Sequence, residues 1–324
     1  MTVLLTTSPG FGRHGRVPAR LAELGWELIR CTDTARPDGG VSDHIARADY
    51  LVVGLVPVTE ATLSQAGRLK AVLKHGVGVD NIDIPACTAR GIPVANTPGA
   101  NADAVAELAL GLMFSMARAI PASHIGIVSG GWNRQVGSQI GGKILGILGL
   151  GNIGRALALK AKALGMTVIA TDPYADRAFA EAHSIGIVDL PELLARSHYL
   201  SLHVFGGADN AALIDASALS KMKPGARLLN LARGEVTDID AVYDALQSGQ
   251  LGGAAFDAYT VEPPDRSHPI FTHPKAVFMP HSGADTVEAV ENVGLMNIAD
   301  IETLIAGGRP ARVLNPEVFE RTAP

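Results

Sequence analysis

Cysteine, aromatic residues and charge are all scarce in this chain. Its 324 residues include two cysteines, Cys31 and Cys87, with 5% aromatic and 18% charged residues. Two cysteines exclude a disulfide framework and fit a reducing compartment. The formal net charge of −5 excludes the broad basic surface by which proteins bind nucleic acid or anionic membranes. We therefore expect neither nucleic acid nor a membrane as a partner.

Long apolar runs are also missing. The longest apolar-rich stretch, residues 106–120, is interrupted by Ser115 and Arg118, whereas a bilayer span needs about 20 apolar residues. The N-terminus has no basic region before its short apolar run, so no signal peptide is predicted. His, Cys and acidic residues are not grouped at the spacing of metal ligands. These absences predict a cytoplasmic protein without a bound metal.

What the chain does contain is a regular alternation of strand and helix patterns. Five apolar strand-like runs precede residue 97 and six follow residue 142. Such runs without polar alternation are typical of parallel strands covered on both faces, so the prediction is an α/β fold with two doubly wound parallel-sheet domains.

Two long helical patterns, at about 101–120 and 284–306, flank the second set of strands. The tail after the second pattern has no strands and must pack on another domain. We predict a discontinuous domain, residues 1–98 plus 284–324, with residues 99–283 inserted as a second domain and a cleft between the two.

The motif G-x-G-x-x-G, which cradles phosphate in dinucleotide-binding folds, occurs twice. Residues 10–15 read GFGRHG and residues 149–154 read GLGNIG. An aspartate follows the last glycine by 18 residues in each case, as Asp33 and as Asp172. The two copies therefore compete for the role of cofactor site.

Only the second copy has the context that the motif requires. An apolar strand leads into Gly149, and an uninterrupted amphipathic pattern follows, so a helix N-terminus can face the phosphates. Asp172 ends the next strand, where its carboxylate would accept hydrogen bonds from ribose hydroxyls and repel a 2′-phosphate, which favours NAD over NADP. In the first copy Pro18 predicts a helix that begins after all three glycines, so we interpret residues 10–15 as a loop.

Three candidates for catalysis follow strands of the inserted domain. Arg233, Glu262 and His281 each come after a strand-like run, and open α/β sheets bind their ligands at the carboxyl ends of strands. An arginine for a carboxylate, an imidazole as acid or base, and a carboxylate to stabilise the imidazolium are the groups that reduction of a keto acid requires.

Six segments together resemble one family. GILGLGNIGR, NLARGEVTDIDAVYDAL, GGAAFDAYTVEPP, MPHSGADT, HGVGVDNID and NTPGANADAVAE are similar, in family order, to motifs of the D-2-hydroxyacid dehydrogenases. Within that family the chain looks most like the phosphoglycerate-dehydrogenase branch. The resemblance implies a Rossmann nucleotide domain inserted in a flavodoxin-like substrate domain, NAD(H) as cofactor, and a homodimer formed through the nucleotide domains. Because few residues follow the second long helix, we expect no regulatory domain of the kind that some phosphoglycerate dehydrogenases carry.

The resemblance also implies roles for individual residues. Arg233 would bind the substrate carboxylate and polarise the carbonyl, His281 would exchange the proton, and Glu262 would hydrogen-bond His281. Asp257 would bind the nicotinamide carboxamide, and the N–H groups of Val77 and Gly78 the substrate carboxylate. The full set expected at the cofactor is Gly149, Gly151, Asn152, Ile153, Gly154, Asp172, His203, Val204, Leu231, Ala232, Asp257 and Gly283. The set expected at the substrate is Val77, Gly78, Lys74, Arg13, His14, Arg16 and Asn101.

The chain departs from the family pattern at two places. Phe205 followed by Gly206 and Gly207 replaces the usual Pro and Thr-containing loop after a strand. Val53-Gly54 stands where phosphoglycerate dehydrogenases carry Arg-Ser to hold the substrate phosphate. We hypothesise that Arg13, His14 and Arg16 on the glycine-rich loop instead hold a second anionic group, as in 3-phosphohydroxypyruvate, phosphonopyruvate or sulfopyruvate. The alternative is a solvated surface loop.

A second reading belongs to another class of protein. Corepressor relatives keep this fold and sense nucleotides without turning over a substrate. The complete set of Arg233, Glu262 and His281 favours an enzyme.

Overall fold

The computed structural model describes residues 1–320. The chain forms two compact units, Met1–Asn101 together with the residues from Ala284 onward, and Ala102–Gly283. The boundary at Asn101 lies three residues beyond the predicted end at 98, because the helix that opens the second unit begins at Ala102.

The first unit contains a five-stranded parallel sheet with the order β2-β1-β3-β4-β5. This is the order of flavodoxin-like folds, as predicted. The central strands are buried on both faces, which explains their continuous apolar sequences. The strands are β1 (Val3–Thr6), β2 (Glu27–Arg30), β3 (Tyr50–Val53), β4 (Ala71–Lys74) and β5 (Val94–Ala95).

The second unit contains a seven-stranded parallel sheet with the order β12-β11-β10-β9-β6-β7-β8. Counted within the unit this is 7-6-5-4-1-2-3, the Rossmann order extended by one strand, as predicted. The strands are β6 (Ile144–Leu148), β7 (Thr167–Thr171), β8 (Gly186–Ile187), β9 (Tyr199–Leu202), β10 (Ala226–Asn230), β11 (Leu251–Phe256) and β12 (Ala276–Phe278).

Helices cover the sheets of each unit. In the first unit they are α1 (Val17–Leu24), α2 (Glu60–Leu63), α3 (Ile84–Ala89) and α11 (Val287–Ile305). In the second they are α4 (Ala102–Arg118), α5 (Ile120–Val128), α6 (Asn152–Ala163), α7 (Arg177–Ala182), α8 (Leu190–Arg196), α9 (Ala216–Lys221) and α10 (Ile239–Ser248).

Three local features differ from the sequence-based prediction. Strand β8 was not predicted, because two residues are too few to show a pattern. The first long helical pattern is interrupted at Ala119, whose φ of 47° is left-handed. The second long helix begins at Val287 rather than 284, because the Thr286 side chain accepts a hydrogen bond from the Ala289 N–H and caps it.

Over residues 1–320 no single helix is long and apolar enough to span a membrane. The bent pair α4 and α5 reaches that threshold by length and composition only, and much of α4 is buried.

Candidate active site

The turn between β6 and α6 has the geometry of a phosphate-binding turn. Gly149 has φ 96°, and a Cβ there would lie 2.6 Å from the His203 carbonyl oxygen. A Cβ on Gly154 would collide with the Gly149 carbonyl oxygen, whereas one on Gly151 would meet nothing within 4 Å. The helix begins at Asn152 and Ile153 without a side-chain cap on its N–H groups. The turn therefore has no space for a side chain at Gly149 or Gly154 but is open at Gly151. Such a turn allows the pyrophosphate of NAD to approach the backbone closely.

Asp172 follows β7 and is fixed against this turn. Its carboxylate accepts hydrogen bonds from the N–H groups of Leu150 at 2.8 Å and Tyr174 at 2.7 Å. Each carboxylate oxygen retains a lone pair for a further donor. The sequence predicts that this carboxylate binds the ribose hydroxyls of NAD, and that role stays a prediction.

His203 and Val204 follow β9 beside the same turn. The His203 Nε2 lies 2.8 Å from the Ser201 hydroxyl, and Nδ1 is buried without a partner in the described chain. Burial lowers the pKa of His203 to about 4. The ring is therefore neutral near pH 7 and adds no charge to the cofactor edge.

The loop after β10 carries Arg233 and is organised by Asn230. The buried Asn230 side chain donates to the Arg233 carbonyl oxygen at 2.8 Å and accepts from the Ala232 N–H at 3.0 Å. Leu231 and Ala232, predicted cofactor neighbours, are 8% and 5% exposed. The Arg233 Nη1 donates to the Ala232 carbonyl oxygen at 2.8 Å. This internal bonding fixes where the guanidinium side chain leaves the backbone.

His281 and Glu262, for which the sequence predicts an acid–base role, are hydrogen-bonded to each other. Nδ1 of His281 lies 2.9 Å from both carboxylate oxygens of Glu262, and the two side chains are 29% and 26% exposed. Burial alone would raise the pKa of Glu262. Hydrogen bonds from His281 and the Tyr259 N–H, together with the Arg233 charge, bring it below its ordinary value. Glu262 is therefore ionised near neutral pH, and Arg233 lies close enough to influence it.

The loop that carries His281 is held by residues of the 257–262 segment. Asp257 accepts hydrogen bonds from the N–H groups of Ser282 and Gly283, both at 2.8 Å. The Tyr259 hydroxyl donates to the Met279 carbonyl oxygen at 2.8 Å. Burial raises the pKa of Asp257, against the lowering effect of these two N–H groups. In this structure Asp257 positions the His281 loop, a role that the sequence did not suggest.

In the first unit, the turn after β4 presents backbone donors. Thr97 N–H and hydroxyl both donate to the Gly76 carbonyl oxygen, and Asn96 donates to that of Val77. Across residues 1–320 the N–H groups of Val77 and Gly78 donate to no protein acceptor. Such a pair suits a carboxylate, as the sequence predicted.

Two other predicted substrate residues are enclosed within the first unit. Asn101 is 9% exposed and its Oδ1 has no hydrogen-bond partner in the described chain. Lys74 is 6% exposed, and its ammonium donates to the Gly54 carbonyl oxygen at 2.6 Å and to Asn81 Oδ1 at 2.7 Å. Lys74 therefore joins two loops of the unit, and the sequence had suggested only a substrate role.

The loop at residues 10–16 is held in place by a buried side chain and by hydrogen bonds to its backbone. The Phe11 side chain is fully buried and packs edge-on against His75, with ring centroids 5.6 Å apart. Arg30 donates to the carbonyl oxygens of Phe11 at 2.6 Å and Gly12 at 3.2 Å. The first helix begins at Val17, so all three glycines lie outside it as predicted.

The cations of this loop differ in their surroundings. Arg16 forms an ion pair with Glu291 of α11. Arg13 and His14 are exposed, and their side chains have no ion-pair partner in the described residues. Arg13 also lowers the pKa of Arg30, after the larger effect of burial, so the two guanidinium groups are near each other. Of the three side chains predicted to bind an anion, those of Arg13 and His14 are therefore exposed and accessible to one.

The positions that depart from the pattern have physical reasons to be small. The Gly54 N–H donates to Thr7 Oγ1 at 2.8 Å, and a Cβ on Gly54 would lie 3.0 Å from the Thr7 carbonyl oxygen. A Cβ on Gly206 would lie 3.0 Å from Arg233 Cγ and would collide with Glu235. Gly206, in the loop after β9, therefore borders the side chain of Arg233, a candidate catalytic residue. In the part of the chain that the structure describes, no group of three or more His, Cys, Asp or Glu side chains could hold a metal ion.

Comparison with known proteins decides the family. Residues 110–283 match the family model described as D-isomer specific 2-hydroxyacid dehydrogenase, NAD binding domain. The chain belongs to this family. The matched residues include the Gly149–Gly154 turn, Asp172, Arg233, Glu262 and His281. As a member of the 2-hydroxyacid dehydrogenases, the chain has an NAD-binding second unit.

Its relatives include longer proteins that are named D-3-phosphoglycerate dehydrogenases. The chain is 38% identical over 300 residues to the D-3-phosphoglycerate dehydrogenase of Synechocystis sp., a match to 90% of this chain and 54% of that protein. It is 38% identical over 319 residues to that of Methanocaldococcus jannaschii, a match to 97% and 60%. The chain thus spans between half and three fifths of the length of these relatives.

A solved structure covers almost the whole chain. The TT0316 protein of Thermus thermophilus superposes with a TM-score of 0.87 and 30% identity over 97% of this chain and 100% of that one. Both units therefore have the fold of that solved protein.

Proposed function

We propose that this family member is an NAD-dependent D-2-hydroxyacid dehydrogenase that interconverts a small 2-keto acid and its D-2-hydroxy acid. The observation that carries the proposal is the pairing of His281 Nδ1 with ionised Glu262 at 2.9 Å. That bond leaves Nε2 without a partner among residues 1–320, available to a substrate oxygen. The names of the relatives in the phosphoglycerate-dehydrogenase branch agree with this chemistry.

In the reducing direction the protein side chains handle charge and the proton. Arg233 attracts the substrate carboxylate and polarises the carbonyl. Bound NADH supplies a hydride to the carbonyl carbon. The proton on His281 Nε2 then passes to the developing alkoxide oxygen, while Glu262 stabilises the imidazolium that donates it. In the oxidising direction neutral His281 removes the hydroxyl proton.

The direct test is NADH oxidation with a panel of 2-keto acids. Pyruvate, glyoxylate, hydroxypyruvate, 3-phosphohydroxypyruvate, phosphonopyruvate and sulfopyruvate differ only in the group beyond the keto carbon. At least one is expected to be reduced, with activity abolished in Arg233→Ala. If NADH binds but no member of the panel is reduced, the result contradicts the dehydrogenase and favours the alternative function, a corepressor-like nucleotide sensor.

For the substrate we propose an anionic group beyond the keto carbon, bound by Arg13. The support is the exposed Arg13 guanidinium, which has no ion-pair partner in the described chain, on a loop held by buried Phe11 and by hydrogen bonds from Arg30. Val53-Gly54, where the family resemblance leads us to expect Arg-Ser, supplies no cation, and a Cβ on Gly54 would lie 3.0 Å from the Thr7 carbonyl oxygen.

A paired comparison of arginine variants tests this substrate class. Arg13→Ala should raise KM for an anionic-tailed keto acid by about tenfold or more, as expected for loss of a charge-assisted contact, and leave pyruvate unchanged. Arg16→Ala is the matched control, because Arg16 is engaged by Glu291. Equal losses on tailed and untailed substrates contradict a role for Arg13 in recognising the tail.

We also propose a homodimer formed through the second unit. Helix α5 has no buried residue in a single chain, and Ile125, Val128 and Trp132 are 62%, 73% and 81% exposed. Several exposed large apolar side chains within a short segment are typical of a protein interface. Light scattering on Ile125→Glu should show a monomer, whereas Ile305→Glu, on an isoleucine of α11 that is 53% exposed, should remain dimeric. A wild-type monomer contradicts the proposal.

We further propose that the protein works in the cytoplasm. Cys31 and Cys87 are both buried and unbonded, and burial raises the pKa of each thiol to about 11, which suits a reducing compartment. Cell fractionation tests this, and recovery in an oxidising compartment contradicts it.

A further inference from the structure

A cavity of about 190 Å³ lies at the amino-terminal edge of the seven-stranded sheet. Its walls include the first residues of β9 and β10, Tyr199 and Ala226, and Lys143 just before β6. The strands are parallel, so this edge is opposite to the one that carries Gly149, His203 and Arg233. The cavity is therefore separate from the candidate active site.

Positive charge accumulates in this cavity without compensation. Lys143, Lys223 and Arg227 line it together with His198, and no carboxylate does. None of the three cations forms an ion pair within residues 1–320. The pKa of His198 is lowered by burial and then by the charges of Lys223 and Lys143, so both ammonium groups act on the same enclosed space.

Three buried polar atoms of the cavity walls lack hydrogen-bond partners in the described chain. They are Ser138 Oγ, the Tyr199 hydroxyl and Arg227 Nε. Tyr199 as a whole is 1% exposed. More than nine in ten buried polar groups in proteins are satisfied, so three unsatisfied ones on residues that line one cavity call for an acceptor that the described chain does not supply. All three can donate, which requires a ligand rich in acceptors.

The size and shape of the cavity restrict that ligand further. Pockets for drug-sized molecules have volumes of about 300–1,000 Å³, so about 190 Å³ suits a small ion or one end group. The Arg227 guanidinium lies over the Tyr199 ring, 5.3 Å from its centroid, which fixes the plane of its donors.

We propose that this cavity is a binding site for a tetrahedral oxyanion of the phosphate or sulfate class, either a free ion or the phosphoryl end of a metabolite. Lys143, Lys223 and Arg227 neutralise its charge. Ser138 Oγ, the Tyr199 hydroxyl and Arg227 Nε donate to its oxygens. The proposal does not depend on the proposed dehydrogenase activity.

Titration calorimetry with inorganic phosphate tests the site. The full chain is saturated with NADH, so that the Gly149–Gly154 turn is not available to phosphate, and ionic strength is held constant with chloride. One saturable site per chain is expected. Lys223→Gln should weaken phosphate binding by about tenfold or more, in line with loss of a charge-assisted contact. Lys221→Gln is the matched control, since Lys221 is an exposed lysine two residues away that does not line the cavity.

Tyr199→Phe separates a ligand effect from a folding effect. It removes a buried hydroxyl that has no protein partner, so the unliganded variant should melt at or above the wild-type temperature and yet bind phosphate more weakly. Glycerol 3-phosphate in place of phosphate distinguishes the two sources: tighter binding indicates a metabolite, and weaker binding a free ion. Absence of saturable binding for both, or equal weakening in Lys223→Gln and Lys221→Gln, overturns the proposal.

Discussion

His281 Nδ1 lies 2.9 Å from each carboxylate oxygen of Glu262. A carboxylate acts only as an acceptor when ionised, so Nδ1 carries the proton in this pair. Neutral His281 then has its lone pair on Nε2. The backbone at His281 is left-handed, with φ 54°, a conformation that costs a non-glycine residue about 1–3 kcal/mol. The flanking residues hold it there: the Ser282 and Gly283 N–H groups donate to Asp257, and the Met279 carbonyl oxygen accepts from the Tyr259 hydroxyl.

Replacement of His281 removes the proposed proton donor. His281→Asn should lower kcat by about 100- to 10,000-fold, the usual contribution of general acid–base catalysis, with NADH affinity unchanged. Steady-state kinetics and fluorescence titration of NADH measure the two effects. His183→Asn, on a histidine of the same unit that packs against Phe179, should keep full activity. Near-normal kcat in His281→Asn refutes the acid–base assignment.

Asp172 should determine the preference between NAD and NADP. Asp172→Ser removes the charge that would repel a 2′-phosphate and the acceptor of the Leu150 N–H. The ratio of kcat/KM for NADH to that for NADPH should fall by about tenfold or more, in line with loss of a charged contact. Asp244→Asn, an exposed change on α10, is the control. An unaltered cofactor ratio in Asp172→Ser argues against ribose recognition by this carboxylate.

The small loop after β9 should influence the substrate through Arg233. A Cβ at position 206 would lie 3.0 Å from Arg233 Cγ, so Gly206→Ala should displace that side chain and reduce kcat/KM by up to about 100-fold. The melting temperature should change little, because the loop is exposed. Gly67→Ala is the control, since a Cβ there meets nothing within 4 Å. Wild-type kinetics in Gly206→Ala show that the contact does not position Arg233.

Two enclosed histidines should make the fold sensitive to acid. Burial lowers the pKa values of His75 and His203 to about 4, with a smaller contribution from Lys74 at His75. Between pH 6.5 and 4 the unfolded chain binds protons at these rings and the folded chain does not, so stability is full above pH 6.5 and falls toward pH 4. The slope is at most about 1.4 kcal/mol per pH unit for each ring.

Melting temperatures measured from pH 7.5 to 4 test this linkage. The double variant His75→Gln, His203→Gln should show a flatter decline than the wild type. A decline of equal steepness in both proteins excludes these histidines as its cause.

The sequence predicted those parts of the site that depend on local order. Gly149–Gly154 and Asp172 lie at fixed spacing on one strand–turn–helix–strand unit. Their spacing in the sequence therefore predicts their positions relative to one another. The alternation of strands and helices predicted two parallel sheets, and the family resemblance implied their Rossmann and flavodoxin-like types, but β8 was missed.

Features that depend on packing between distant segments could not be predicted. Arg16 pairs with Glu291, 275 residues away, and no local pattern reports that contact. Asn230 and Tyr259 stabilise loops by donating hydrogen bonds to backbone carbonyl oxygens. Every residue has such an oxygen, so the sequence does not show which one is bonded. The cavity residues Ser138, Tyr199 and Arg227 belong to three separate segments and matched no motif.

Transfer of deuterium tests the central proposal most directly. NADH that carries deuterium at both positions of the nicotinamide C4 is incubated with the best 2-keto acid of the panel, and the product is analysed by mass spectrometry and chiral chromatography. The account predicts a D-2-hydroxy acid with the label on C2, formed by the wild type and not by His281→Asn. An unlabelled product, an L product or no product would contradict it.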